Sequence, residues 1–364
     1  MEDSQGLASQ LLGKPEREKT GSDIASRFEF QTFWGLALLF QHYGSVANYA
    51  IVFEFHDDVA LFDDPISPIK VRFYQVKSKA TVGGWTLQSL IGRKKSISKK
   101  TGNELIKPSH IDKMYDNIEK FDPNVLSVEF VSNQHCNLNA AESNFRFQAC
   151  EQAEFQKIVK SIQEVCPGAT EAQVGLLGFR KTDLSLPDAV THIKGKLHQF
   201  ICDQIGAVTF NLETLYKAII DDCRRKAAFT GAYADFAEVV RHKGITKDDV
   251  QTWLDTIVHD QRAPEWIAIM PLLTDYTYLE NRRIGQQYDI IRSAVLNPGD
   301  AALFRIRTVI QKAIEELDPN SPDGLTQIID TICVSCQDVA QKYLAPYSSD
   351  KLKAMIVYEL HTKD

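Results

Sequence analysis

The chain has 364 residues, 44% hydrophobic and 24% charged, with a net charge of −7 at pH 7. That length and balance allow two folded domains with an ordinary core and exclude a wholly disordered or fibrous chain. No apolar run reaches 18 residues, so no membrane span is indicated. The acidic, polar start is not expected to act as a secretory leader, and seven cysteines without framework spacing fit reduced thiols in a cytoplasm.

Residues 1–20 are polar and poor in aromatics, and are expected to form a disordered N-terminus. Ser22 or Asp23 is placed to cap a helix that runs to Tyr43, with Gly44 as its stop. Apolar residues cover most of that helix's circumference, which predicts burial on most sides. Strands are predicted at Asn48–Phe55, Val59–Phe62 and Ile69–Ser78, separated by turns at Asp63-Asp64-Pro65 and Ser67-Pro68. Trp85–Ile91 suggests a short helix and Arg93–Lys107 a charged, mobile connector. Ser109 opens an amphipathic helix that ends before Asp122-Pro123, and Leu126–Ser132 is short, β-branched and aromatic like a strand.

After about Phe145 the pattern changes to apolar residues at three- and four-residue spacing, in one segment after another, with prolines between them. The expected architecture is an α/β N-terminal domain over residues 21–145, a mixed sheet flanked by helices. An all-α C-terminal domain follows over 150–364, with a possible subdivision near Gly244–Asp260.

The charge is unevenly spread. Between Ile69 and Lys113 there are eleven Lys or Arg and two acids, a net +9 that leaves −16 for the rest of the chain. Such a basic stretch is either a solvated surface or a phosphate-contacting face built from Lys79, Arg93, Lys94, Lys95, Lys99 and Lys100. It begins on the strand that ends Gln75-Val76-Lys77. Gln75 and Lys77 share one face of that strand, and Asp58 sits at the edge of another. Hydrolysis of a phosphodiester needs an activated water and charge neutralisation, which divalent cations supply through hard oxygen ligands. Asp58, Gln75 and the Val76 main-chain carbonyl are candidate ligands, with Glu54 as a second carboxylate and Lys77 beside the water. Glu29 or Gln31 on the first helix can approach from the other side.

This arrangement resembles the PD-(D/E)xK restriction-endonuclease-like superfamily, in the variant where Gln replaces the second acid. It is more specifically similar to the double-stranded DNA endonuclease domain of bacterial anti-phage effectors. The residues that carry this likeness are Gly21-Ser22, Arg27–Gln31, Trp34, Tyr49, Phe53-Glu54, His56–Val59, Tyr74–Lys79, Trp85-Thr86 and Val131–Asn133. The resemblance covers about residues 20–140. It implies Mg²⁺-dependent (or Mn²⁺-dependent) cleavage of double-stranded DNA in a bacterial cytoplasm, with Asp58 and Gln75 at the metal and Lys77 catalytic. Two branches of the family, CBASS and Lamassu, differ in the second half. A CBASS effector carries a mixed α/β sensor for a cyclic oligonucleotide. A Lamassu nuclease carries a mainly helical partner-docking region and acts with an SMC-like ATPase and an accessory subunit, by release or self-association. The helical pattern of residues 150–364 favours Lamassu; a catalytically silent DNA-binding adaptor is the alternative from a different class.

Several residues have plainer readings. Asp57 and Asp58 suit a turn, and Glu29 can point to solvent. His56 can be structural, and Cys333 with Cys336 reads as two core thiols at helical spacing, since zinc needs four ligands. No Walker-type phosphate loop is present, so ATP hydrolysis is not expected of this chain.

Overall fold

A computed structural model describes residues 20–44, 48–80, 83–97, 104–206, 208, 210–296, 300–318 and 322–362. The segment expected to be disordered, except Thr20, lies outside these residues. The chain divides into two compact units, Met1–Leu39 with Ile51–Ile193 and Phe40–Ala50 with Lys194–Asp364.

The first unit is built on a mixed sheet. Helix α1 (Thr20–His42) starts ahead of the expected Ser22 or Asp23 cap. It buries Phe30, Phe33, Trp34 and Leu36 through Leu39. Gly35 allows its close approach to the sheet, because a Cβ there would stand 2.5 Å from Phe53 Cε1. Strands β1 (Ala50–Phe55), β2 (Asp57–Phe62) and β3 (Val71–Lys77) follow the sequence reading within a few residues. Then come α2 (Leu87–Ile91), β4 (Lys94–Ile97), β5 (Glu104–Lys107), α3 (His110–Phe121) and β6 (Val125–Ser132). The unit continues with β7 (Asn144–Arg146), α4 (Gln152–Gln163), α5 (Glu171–Val174) and β8 (Leu177–Lys181).

Within this unit the strand order is β7-β8-β6-β3-β2-β1. Central β3 runs antiparallel to β2, with Val59 opposite Tyr74, and parallel to β6, with Lys77 opposite Ser132. A parallel pair needs a long crossover, and residues 78–124 supply it, with α3 packed on the sheet. Because β3 is covered on both faces, it reads as a nearly continuous apolar run, Val71, Phe73, Tyr74 and Val76. Gln75 interrupts that run and is itself buried.

Three local expectations are corrected. The sheet does not end near Phe145, since β8 inserts between β6 and β7, parallel to one and antiparallel to the other. Its five residues, with Gly178 second among them, are too short to show a period among helical neighbours. The Arg93–Lys107 connector contains a hairpin, in which Lys94 lies opposite Lys107 and Ile97 opposite Glu104. Trp85 lies before the α2 helix rather than in it and bridges to Cys136, and Thr86 caps that helix through Ser89.

The second unit is helical. It takes the end of α6 (Ala189–Ile205), then α7 (Leu212–Ala228), α8 (Phe236–Lys243), the three-residue β9 (Gly244–Thr246) and α9 (Lys247–Gln261). It continues through α10 (Trp266–Ile269), α11 (Tyr278–Ala294), α12 (Ala301–Glu315), α13 (Leu325–Tyr343) and α14 (Ser349–Thr362). A core formed by Ile284, Tyr288, Ile306, Ile310, Ile329, Ile356 and Tyr358 also takes in Cys333 and Cys336. The buried Glu359 on α14 is matched by Arg307 Nε at 2.5 Å and Gln311 Nε2 at 2.7 Å. No helix among the described residues is long and apolar enough to cross a membrane.

Candidate active site

The turn from β1 to β2 is a single residue, His56, and both Glu54 and His56 adopt left-handed backbone conformations, with φ of 50° and 64°. Such conformations are costly for residues other than glycine. They reverse the chain so tightly that Asp57 and Asp58 open β2 beside the end of β3. Asp58 Oδ2 accepts the Val76 N–H at 2.6 Å and Lys77 Nζ at 2.8 Å. Both bonds fall on Oδ2, which leaves Oδ1 for another ligand. Gln75, two residues before Lys77 and on the same strand face, has Oε1 3.1 Å from His110 Nδ1 on α3. From α1, Gln31 Nε2 donates to the Val76 carbonyl at 3.3 Å. Gln31 Oε1 is buried with no hydrogen-bond partner among the described residues.

These groups face an open cleft of about 640 Å³. One side is lined by Glu54, His56, Asp57, Asp58, Gln75 and Lys77, and the other by Asp112, Lys113, Asp116 and Glu119 of α3. Burial, then the neighbouring Asp58 charge, pushes Asp57 up to about 7, although the Asp58 N–H and Lys77 pull the other way. Asp57 is held by Asn117, whose Nδ2 donates to Oδ2 at 2.9 Å. Burial, then the Lys77 and Lys113 charges, lowers His110 to about 4, so its ring is neutral near pH 7.

The donors suit a hard divalent cation. Carboxylates from Glu54, Asp57 and Asp58 line the cleft with Gln75; the Val76 carbonyl, which accepts from Gln31, and the Gln75 amide oxygen, which faces His110, are further oxygen donors beside them. Among the described residues no three His, Cys, Asp or Glu side chains form a metal-holding group. A cation here therefore depends on amide and main-chain oxygens as well as carboxylates. Burial, and after it the Asp58 charge, raises Asp57, and the Gln31 oxygen beside Val76 has no hydrogen-bond partner among the described residues; both are features a cation would relieve.

The structure brings Glu54, Asp58, Gln75, Val76, Lys77 and Gln31 together but treats the other candidates differently. Glu29 lines a separate hollow with Phe30, Phe33 and residues 186–191. Residues two apart on a helix face different ways, so Gln31 and Glu29 cannot both point to one site. Lys79 is engaged within the fold, its Nζ 3.8 Å from the Trp85 ring centroid and donating to the Gly84 carbonyl at 3.2 Å. Arg93 forks onto Asp112 with two bonds of 2.8 Å and reaches Glu164 at 2.6 Å, so it ties α3 to α4 rather than facing DNA. Lys94 and Lys95 are exposed on the hairpin. Lys99 and Lys100 lie outside the described residues. Sequence reasoning left Asp57 out of the candidate set and missed Asp116 and Glu119 in the cleft, along with His110 and Asn117, which bond Gln75 and Asp57. One signal was available, for Asn117 is a polar residue on the same α3 face as Met114, Tyr115 and Ile118.

The family model for the Cap4 dsDNA endonuclease domain matches residues 19–227, more than half of the chain. The chain belongs to that family. This Cap4-type chain is also 24% identical over 252 residues to the Lamassu protein LmuA of Bacillus cereus (strain VD014), an alignment covering 66% of the chain. The chain spans 64% of the length of that relative. No solved structure matches.

Proposed function

We propose that the chain is a Mg²⁺-dependent (or Mn²⁺-dependent) endonuclease that hydrolyses double-stranded DNA in the bacterial cytoplasm. It serves as the effector of a Lamassu-like anti-phage complex and is held inactive until released or oligomerised. The observation that carries the reading is the junction at Asp58 Oδ2, where one carboxylate oxygen takes both the Val76 N–H and Lys77 Nζ at the mouth of the cleft.

A bound Mg²⁺ supplies charge neutralisation on the phosphate and an acidified water. Asp58, Gln75, the Val76 carbonyl and Glu54 would hold it. The rest is done by the chain. Asp58 fixes the Lys77 ammonium at the cleft mouth, where it can orient the attacking water and offset phosphate charge. The β3 backbone sets the spacing of Gln75 and Lys77 because alternate residues share a face. Exposed Lys94 and Lys95 on the hairpin, with Lys113 in the cleft wall, supply cations for the DNA backbone.

Residues 150–364 contain the control region, and the LmuA likeness together with the helical second unit supports docking to an SMC-like ATPase and an accessory subunit. Plasmid degradation tests the chemistry. Lys77→Ala and Asp58→Ala are expected to lose at least about 100-fold in Mg²⁺-dependent cleavage, the scale of a lost proton-transfer or charge-stabilising group, while staying folded. Wild-type activity in both variants would refute the assignment.

A further inference from the structure

We propose that His110 is a positioning residue that decides which end of the Gln75 amide faces the cleft. The inference rests on the nuclease reading of this site. Gln75 is 4% exposed, so its amide has few choices of partner, and His110 Nδ1 lies 3.1 Å from its oxygen. His110 is itself fixed. It is the first residue of α3, whose start is locked by the reciprocal Ser109 and Asp112 capping bonds of 3.0 Å and 2.8 Å. Its ring packs edge-on against Trp85, with centroids 5.5 Å apart, and against Phe130 at 5.1 Å. Trp85 is anchored in turn, its Nε1 donating to Ser132 Oγ at 2.8 Å.

The need for such a residue follows from the chemistry of an amide. A carboxylate offers an oxygen from either end, but an amide offers an acceptor at one end and a donor at the other. With Nδ1–H donating to Oε1, Gln75 turns Nε2 to the cleft, where it suits a phosphate oxygen. In the structure Oε1 is the end that faces Nδ1; a cation needs the opposite arrangement, with Nδ1 accepting from Nε2 and Oε1 turned to the cleft. The imidazole tautomer and the amide orientation are therefore one coupled choice, and His110 transmits it through a single hydrogen bond. Loss of a hydrogen-bond partner behind a metal ligand typically weakens metal affinity by about 10- to 100-fold.

The test uses the full-length, metal-free protein and Mn²⁺ titrated by calorimetry, with thermal melts as the folding control. His110→Phe fills the aromatic box but removes the bond, and should weaken Mn²⁺ binding by about 10-fold or more. His110→Asn returns a polar atom near the Nδ1 position and should recover most of the loss. In a Gln75→Glu background orientation no longer matters, so adding His110→Phe should cost little. If His110→Phe does not fold, His110→Ala, which makes room instead of filling it, takes its place. Unchanged Mn²⁺ affinity in the single variant overturns the inference. So does an equal loss in the Gln75→Glu background, because His110 then merely supports the fold. A wild-type protein that binds no Mn²⁺ and cleaves no DNA with Mg²⁺ instead overturns the nuclease reading on which the inference stands.

Discussion

Glu54 and His56 bear the conformational cost of the site. Both hold positive φ on either side of Phe55, and Glu54 also lines the cleft. Glu54→Gly is expected to be more stable than Glu54→Ala by about 1 kcal/mol, since glycine adopts this backbone freely, while both variants lose cleavage. Urea melts of the two variants check the first part; equal stability would mean the turn carries no strain. Lys77 and Asp58 behave differently. Their side chains are 31% and 15% exposed, so the pair contributes no more than about 1 kcal/mol, and its loss should affect activity rather than folding. These residues were legible in the sequence because a strand's two-residue period puts Gln75 and Lys77 on one face without any knowledge of the fold. Glu29 was not, because choosing between two faces of a helix buried on most sides needs the tertiary structure. Asp57 suits a turn as well as a site by sequence, since nothing local distinguishes a turn aspartate from one pressed against Asn117 of a distant helix.

The cleft wall depends on how α3 is tied down. Arg93 spans Asp112, Glu164 and the Ser161 main chain, joining α3 and α4. Arg93→Ala leaves a largely buried carboxylate without its partner and should destabilise the protein by about 3 kcal/mol. Denaturant titration measures this, and a loss below about 1 kcal/mol would put Arg93 among ordinary surface ion pairs. The pH dependence has a definite sign. Burial would raise Asp112, but bonds from Arg93 and Ser109 outweigh it and hold the carboxyl below its ordinary value. The folded state therefore binds this proton less readily than the unfolded chain. The stabilisation is fully present above the unfolded value of about 3.9 and is lost as pH falls through the lower folded value. The stability difference between wild type and Asp112→Asn should accordingly shrink below about pH 4; a difference that grows on acidification would contradict the assignment. Most elements of this unit were visible from capping and periodicity, including α3 with its Ser109 start. The hairpin was hidden because its strands are four residues each and charged, KKSI and ELIK. The β8 strand was hidden because Leu177–Lys181 lies between helical segments and its partner, β6, ends 45 residues earlier.

Across the whole chain the charge is acidic, yet 69–113 carries a net +9 and leads from the start of β3 through the hairpin to Lys113. Binding to DNA should therefore be strongly salt-dependent. Lys94→Glu with Lys95→Glu should weaken it across unrelated sequences and lower the salt slope by about 2, with no change in melting temperature. Filter binding at several salt concentrations checks this, and an unchanged slope would place the DNA elsewhere. The helical second unit was legible as a class, from repeated three- and four-residue spacing. Its task was not, because helix-packing residues carry no chemical signature of a partner. The most direct measurement is cleavage of supercoiled plasmid by the full chain, together with the subunits that co-purify with it, in Mg²⁺ and in EDTA. Linear or degraded DNA from wild type in Mg²⁺ alone, and intact plasmid from folded Lys77→Ala and Asp58→Ala, is the expected result. Equal degradation by wild type and variants, or none by the wild-type assembly in Mg²⁺, would contradict a nuclease centred on Asp58, Gln75 and Lys77.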